Sequence, residues 1–239
     1  RSTLFPYTTL FRSVWLVLKD AEFKSVDSCD VVHGQFHFDG TLDSVRMANI
    51  FMDDEPVLPL VLESGAITVK LDDTQQVVSG SPLNDKLFGF FKKYQQLQNQ
   101  QRELVHKHDQ AIMNGSDMNV VTRQLTAEAN RLAEQEDKLV TTFVTDNFDN
   151  VLGAGVFFLV TMGNQYPMLS PWIEDIMSKA TDHFKNDAYV KDYYQKAQEN
   201  QAIMNGTHES TGGVTPEMEQ MAAPQGDPSA ATAPAATPT

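Results

Sequence analysis

Val77-Val78-Ser79-Gly80-Ser81-Pro82-Leu83-Asn84 is the stretch where the spacing of apolar residues changes from a strand period to a helical one, and it does not change back. Ser81 is a good N-cap acceptor. Pro82 suits the first helical position because its missing N–H would have no intrahelical partner, and Asp85 suits the positive end of a helix dipole. The spacing therefore predicts an α+β protein. A small antiparallel β-sandwich, or an open barrel, occupies residues 14–80; a helical region over 81–205 holds a long antiparallel hairpin and further packed helices.

Upstream of the switch the pattern is one of short strands. Residues 14–18 form a continuous apolar run fit for a strand buried on both faces, although periodicity alone does not separate it from a helix. Residues 27–32, His33-Gly34 and residues 35–38 read as a hairpin, with Phe36 and Phe38 on one face and Gln35 and His37 on the other. Further strands follow over 45–52, 57–62, 66–71 and 76–79. Asp53-Asp54-Glu55-Pro56, Glu63-Ser64-Gly65 and Asp72-Asp73 supply the turns. Six or seven strands at about ten-residue spacing suggest a sandwich or open barrel whose first strand is missing.

Residues 3–13, Thr3-Leu4-Phe5-Pro6-Tyr7-Thr8-Thr9-Leu10-Phe11-Arg12-Ser13, resemble the translation of a short-read sequencing adapter. We set residues 1–13 aside as an artefact of that kind. On this reading any signal peptide or lipoprotein cysteine has been lost with the true start. The other reading is an edge strand carrying Pro6.

Four stretches carry a family resemblance: Val26-Asp27-Ser28, Gly34-Gln35-Phe36-His37-Phe38-Asp39-Gly40, Leu58-Pro59-Leu60-Val61-Leu62-Glu63-Ser64-Gly65, and Val78-Ser79-Gly80-Ser81-Pro82-Leu83-Asn84. In this order they resemble a domain of unknown function found at the N-terminus of cell-envelope lipoproteins and thiol:disulfide interchange proteins of Gram-negative bacteria, over residues 14–94. In many relatives a thioredoxin-like domain with a Cys-x-x-Cys pair follows. Here no further cysteine and no βαβ pattern follows, so the family's redox activity does not carry over.

Downstream, Leu83, Leu87, Phe90, Tyr94, Leu97, Gln101, Leu104, His108 and Ala111 recur at steps of four and three, the a/d seam of a coiled coil. Asn114-Gly115 ends that helix and Ser116 or Asp117 caps the next. Met118, Val121, Leu125, Leu132, Leu139 and Phe143 continue the seam, which predicts an antiparallel hairpin. Its polar members Gln101 and His108 are read as fixing register or lying where the seam opens to water; the alternative for His108 is a ligand role. Gly153-Ala154-Gly155-Val156-Phe157-Phe158-Leu159-Val160 reads as a buried helix packed closely through its small residues, with a buried strand as the alternative. Ser170-Pro171 and Asp187 start two more helices. Residues 206–239, rich in Pro, Ala, Thr, Gly and Ser, bury too little to offset their ordering entropy and read as a disordered tail. Ala-Ile-Met-Asn-Gly occurs at Ala111 and again at Ala202, which we read as shared helix-ending chemistry.

Composition narrows the function classes. The 239 residues carry a formal net charge of −14, and residues 14–80 hold 4 Lys/Arg against 12 Asp/Glu, a net of −8. That argues against nucleic acid or an anionic lipid face as partner. A single cysteine, Cys29, gives no internal disulfide, redox pair or thiolate zinc site. The most apolar run, 151–162, is well short of the ~20 residues that cross a bilayer, so we expect a soluble chain with membrane contact only through a lost lipid anchor.

No catalytic, cofactor-binding or metal-binding set stands out. His33 and His37, with Asp30 and Asp39 nearby, read as solvent-facing hairpin residues. His106 and His108 are two apart on a helix and do not share a face. Asp146-Asn147-Phe148-Asp149-Asn150 resembles a calcium loop, but Phe148 takes a ligand position and the glycine and distal glutamate are absent. Cys29 lacks a basic neighbour to lower its pKa. The reading is a non-catalytic, lipoprotein-like envelope module, periplasmic or anchored at the outer membrane. Its partner would be another protein or an envelope component, met by Ile112, Met113 and Met118 at the hairpin's outer end. The alternative is a fragment, or a redox-dead relative, of a thiol:disulfide interchange protein.

Overall fold

Alternating apolar and polar side chains lay down strands β2 (Trp15–Asp20), β3 (Ser25–Asp30), β4 (Gln35–Phe36), β5 (Arg46–Met52), β6 (Glu55–Leu62), β7 (Thr68–Leu71) and β8 (Gln76–Ser79). The structure, a computed structural model, describes the backbone of residues 2–4 and the whole of residues 15–72 and 76–206. The strands form two four-stranded sheets, in the orders β4-β1-β7-β8 and β3-β2-β5-β6, where β1 is Ser2–Leu4. One buried cluster lies between them: Leu16, Leu18, Ala48, Ile50, Leu58 and Leu60 from one sheet meet Phe36, Val69, Leu71 and Val78 from the other. This is the expected sandwich, and it does not close into a barrel.

Two details differ from the sequence reading. Three of the residues set aside, Ser2–Leu4, pair antiparallel with β4 and in parallel with β7, so the first sheet is mixed rather than wholly antiparallel. Exposed backbone on two facing strand edges pairs with any extended segment, a property that composition does not reveal. The tight turn at His33-Gly34 is present, with positive φ at both residues and a Val32–Gln35 bridge. It joins the two layers, however, so β3 and β4 are not a hairpin ladder. The partner of β3 is β2, across a turn in which the Asp20 carboxylate accepts the N–H groups of Glu22 and Lys24.

Helices α1 (Pro82–Met113), α2 (Met118–Asp146), α3 (Val151–Thr161), α4 (Pro171–Lys179), α5 (Asp182–Lys185) and α6 (Ala188–Met204) follow. The chain enters α1 through Gly80, whose φ of +94° and 2.9 Å gap between an added Cβ and the Ala66 carbonyl admit no side chain. Ser81 takes the N-cap position but does not cap. The carboxylate of Glu63 accepts the N–H groups of Leu83 and Asn84 at 2.9 and 3.1 Å. Ser81 Oγ instead accepts from Asn84 Nδ2 at 2.9 Å. Asp117, Asn150 and Asp187 cap α2, α3 and α6 with their own carboxylate or amide oxygens. The repeated pentapeptide ends α1 and α6 in the same way, with Asn114 and Asn205 still helical and Gly115 and Gly206 at φ of 66° and 67°.

The outward face of β5 and β6 bears on the helices. Val61 is wholly buried in a second core with Leu87, Phe90, Val144, Leu152 and Phe157. Phe157 packs its ring against Phe184 and Tyr193. The hairpin of α1 and α2 leaves this core: no residue after Phe90 in α1 or before Leu132 in α2 is buried. With α1 at 32 residues, roughly 48 Å, most of the hairpin projects. The seam is where the spacing put it, half-buried at Tyr94, Leu97, Gln101, Leu104, His108 and Ala111. The loop at 146–150 is a helix joint: Phe148 is buried, Asn147 donates to the Phe143 carbonyl and Asn150 caps α3. Residues 206–239 were read as a disordered tail; beyond Gly206 they lie outside the described residues, as does the Asp73 side of the turn before β8.

Candidate functional site

Where α3 crosses the outward face of the sheet, Gly155 lies against Met47; a Cβ there would come within 2.8 Å of the methionine Cγ. Close approach at this point is possible only because α3 carries small residues on that side. Beside the contact the two surfaces part, and they enclose a cleft of about 670 Å³. That is the size of an ordinary small-molecule site. Met47, Asn49 and Pro59 form the sheet wall, and Ala21 and Phe23 of the β2–β3 turn the rim. Ala154, Phe158 and Leu159 of α3 face them, and His183, Asn186, Asp187 and Tyr189 close one end.

The apolar walls are held in place by packing. Phe158 and Tyr189 meet edge to face at 4.8 Å. Burial pushes the Tyr189 phenol up from its ordinary pKa, and its hydroxyl is hydrogen-bonded to Thr161 Oγ1 at 2.9 Å. Phe23 at the rim meets Phe51 edge to face, and the Lys19 ammonium sits over the Phe51 ring, 4.4 Å from its centroid.

Two polar lining groups are already engaged: Asn150 accepts the N–H of Leu152, and Asp187 those of Tyr189 and Val190. Arg46 lies 3.9 Å from both Asp20 and Asp43, and its buried Nε has no hydrogen-bond partner among the described residues. A lining of aromatic and aliphatic side chains with a few hydrogen-bonding groups can bind and orient a molecule. Among the described residues its lining holds no serine, threonine, cysteine or lysine.

None of the cleft residues was expected from sequence to bind a ligand. The one signal was Gly153-Ala154-Gly155, small residues inside an apolar helix; the sheet residues that face it are distant in the chain. The proposed interaction tip and the residues around His33 lie elsewhere. Ile112 and Met113 are 55% and 81% exposed at the hairpin end, and Met118 is half-buried across from them. His33, His37, Asp30 and Asp39 are exposed around the layer-crossing turn. Among the described residues no group of three or more His, Cys, Asp or Glu is placed to share a metal ion, and no helix is long and apolar enough to cross a membrane. Cys29 packs half-buried beside the sandwich core, and burial, with Asp27 and Asp30 adding, raises its pKa and keeps it a thiol.

Within the hairpin the seam holds a polar group that sequence reading passed over. Glu136 accepts from Gln98 Nε2 at 3.0 Å and from Gln101 Nε2 at 2.8 Å. Tyr94, at the same level, is pushed up to about 12 by burial, then by the charge of Glu136 and its hydrogen bond. Gln101, read as fixing register or lying where the seam opens to water, is thus bonded across the seam to α2.

Comparison with protein families matches residues 12–87 to a domain of unknown function (DUF4369), which spans the sandwich from β2 and the first turns of α1. Neither the curated proteins nor the solved structures give a match.

Proposed function

We propose that this chain, which carries a DUF4369 domain over residues 12–87, is a non-catalytic binding module of the cell envelope whose ligand sits between the sandwich and the helices. The observation that supports this reading is the cleft itself, apolar, of about 670 Å³, and lined by both halves of the chain. Methionine-methyl NMR with an apolar fragment set tests it. Met47 lines the cleft while Met113 and Met118 report on the hairpin end. Fragment-induced shifts at Met47 are the expected result, and shifts confined to the other methionines would overturn the assignment.

The envelope location is supported by the resemblance of the four motifs. A complete reading frame of the gene is expected to carry a secretory signal and a lipid-anchoring cysteine, and a cytosolic start next to β2 would end that part of the proposal. No redox step is assigned, because exchange with a disulfide needs a second thiol to resolve the mixed disulfide, and Cys29 is the single cysteine of this sequence. Insulin reduction with dithiothreitol is expected to run no faster than the uncatalysed control.

A second reading, favoured by the exposure of Ile112 and Met113, puts a protein partner at the hairpin end. Unbranched methionine repacks against differently shaped surfaces.

A further inference from the structure

The cleft's walls and its charges make different demands on a ligand. Phe23, Met47, Pro59, Ala154, Phe158 and Tyr189 offer apolar surface, which rewards removal of apolar area from water. Besides the Arg46 Nε, the hydrogen-bonding groups left over are the side-chain amides of Asn49 and Asn186, neither of which makes a side-chain hydrogen bond among the described residues. The one guanidinium, Arg46, faces Asp20 and Asp43, both at 3.9 Å. Neither of those two carboxylates lines the cleft; Asp187 does. The lining thus carries one guanidinium, flanked by two carboxylates outside the cleft, and one carboxylate, on a chain of formal net charge −14. An anion entering here meets like charge at short range and a cation already shared between two carboxylates, and in a partly desolvated site such repulsion is poorly screened.

We infer that the cleft selects uncharged, largely apolar ligands over anionic ones. The inference rests on the reading of the cleft as the binding site and adds to it the ligand's chemistry. The polar end of such a ligand would be oriented by the amides of Asn49 and Asn186.

The test uses two fluorescent probes with the same arylamine body, neutral N-phenyl-1-naphthylamine and anionic 8-anilinonaphthalene-1-sulfonate, titrated into the full chain. The neutral probe is expected to bind at least tenfold more tightly. Ala154→Phe, which fills the cleft from α3, is expected to weaken it at least tenfold. Ala21→Trp does the same from the exposed rim without touching either core, so the test survives if the first variant fails to fold. Asp43→Asn removes an exposed carboxylate from Arg46 and is expected to strengthen the anionic probe about threefold. An anionic probe that binds as tightly as the neutral one, or gains nothing from Asp43→Asn, overturns the selection and leaves the cleft standing. Absence of binding by either probe, or binding indifferent to both filling variants, overturns the cleft as the binding site.

Discussion

Asn84, in the first turn of α1, bonds both main-chain groups of Val61 in the edge strand β6: its Oδ1 accepts the Val61 N–H and its Nδ2 donates to the Val61 carbonyl, each at 2.8 Å. The side-chain amide stands in for the next strand. It closes an edge that Pro56 and Pro59 elsewhere protect, because proline offers no N–H to a further strand. Wholly buried, Asn84 couples the sandwich to the hairpin. Asn84→Ala leaves two buried backbone groups unpaired and should destabilise the chain by about 2–4 kcal/mol. Asn84→Asp should cost more, since a carboxylate cannot donate to the Val61 carbonyl and would sit beside Glu63. Urea denaturation measures both; equal stability of Asn84→Asp and wild type would show that the joint is not built this way.

The two glycines of α3 should respond differently to alanine. At Gly153 an added Cβ would lie 2.5 Å from the carbonyl oxygen of Asn147, which is rigid backbone of the α2–α3 joint. At Gly155 it would meet only the Met47 side chain, at 2.8 to 3.1 Å. Alanine favours a helix over glycine by about 1 kcal/mol. Gly155→Ala should therefore stay within about 1 kcal/mol of wild type, with methionine yielding. Gly153→Ala should lose about 2 kcal/mol or more. Thermal melts of the pair decide it, and the reverse order would contradict the packing described.

Alkaline pH should loosen the hairpin before it reaches the cores. The Tyr94 phenol is pushed up to about 12 in the folded chain, against about 10 in an unfolded one. A raised folded value means that the folded state holds the proton longer. Its contribution is complete below about pH 10 and is lost as pH climbs towards 12. Urea midpoints should fall through that window, and Tyr94→Phe should flatten the fall. A Tyr94→Phe variant with the same slope would place the effect elsewhere.

Much of this fold was legible because it rests on short-range signals. The switch at Gly80-Ser81-Pro82, the seam from Tyr94 to Ala111 and the Asn-Gly helix ends all appear in the structure where spacing and conformational preference put them. What escaped is relational. The Glu63 cap on α1 comes from 20 residues away. Glu136 was passed over because a carboxylate breaks an apolar pattern, yet two glutamines satisfy it inside the seam. The cleft has no local signature at all. It is the space left where α3, with Ala154 and Gly155, meets a sheet face formed about a hundred residues earlier, and residue spacing along one element does not encode the gap between two.

The outer hairpin should be dispensable for folding and required for any partner that binds there. Neither helix buries a residue between Phe90 and Leu132, so this stretch adds little to the global core and should open locally first. Joining Leu104 to Glu128 through Asn-Gly removes Ile112, Met113 and Met118 and keeps Gln98, Gln101 and Glu136 paired. Such a chain should unfold within about 1 kcal/mol of the full one, because the deletion removes only half-buried contacts. If it loses several kcal/mol, the projecting helices are part of the cooperative core after all. The same chain separates the two binding readings. Neutral-probe affinity at the cleft should be unchanged, whereas a protein partner that contacts Met113 should no longer be captured from envelope extract. Capture of the same partners by both chains would rule out the hairpin end as their site.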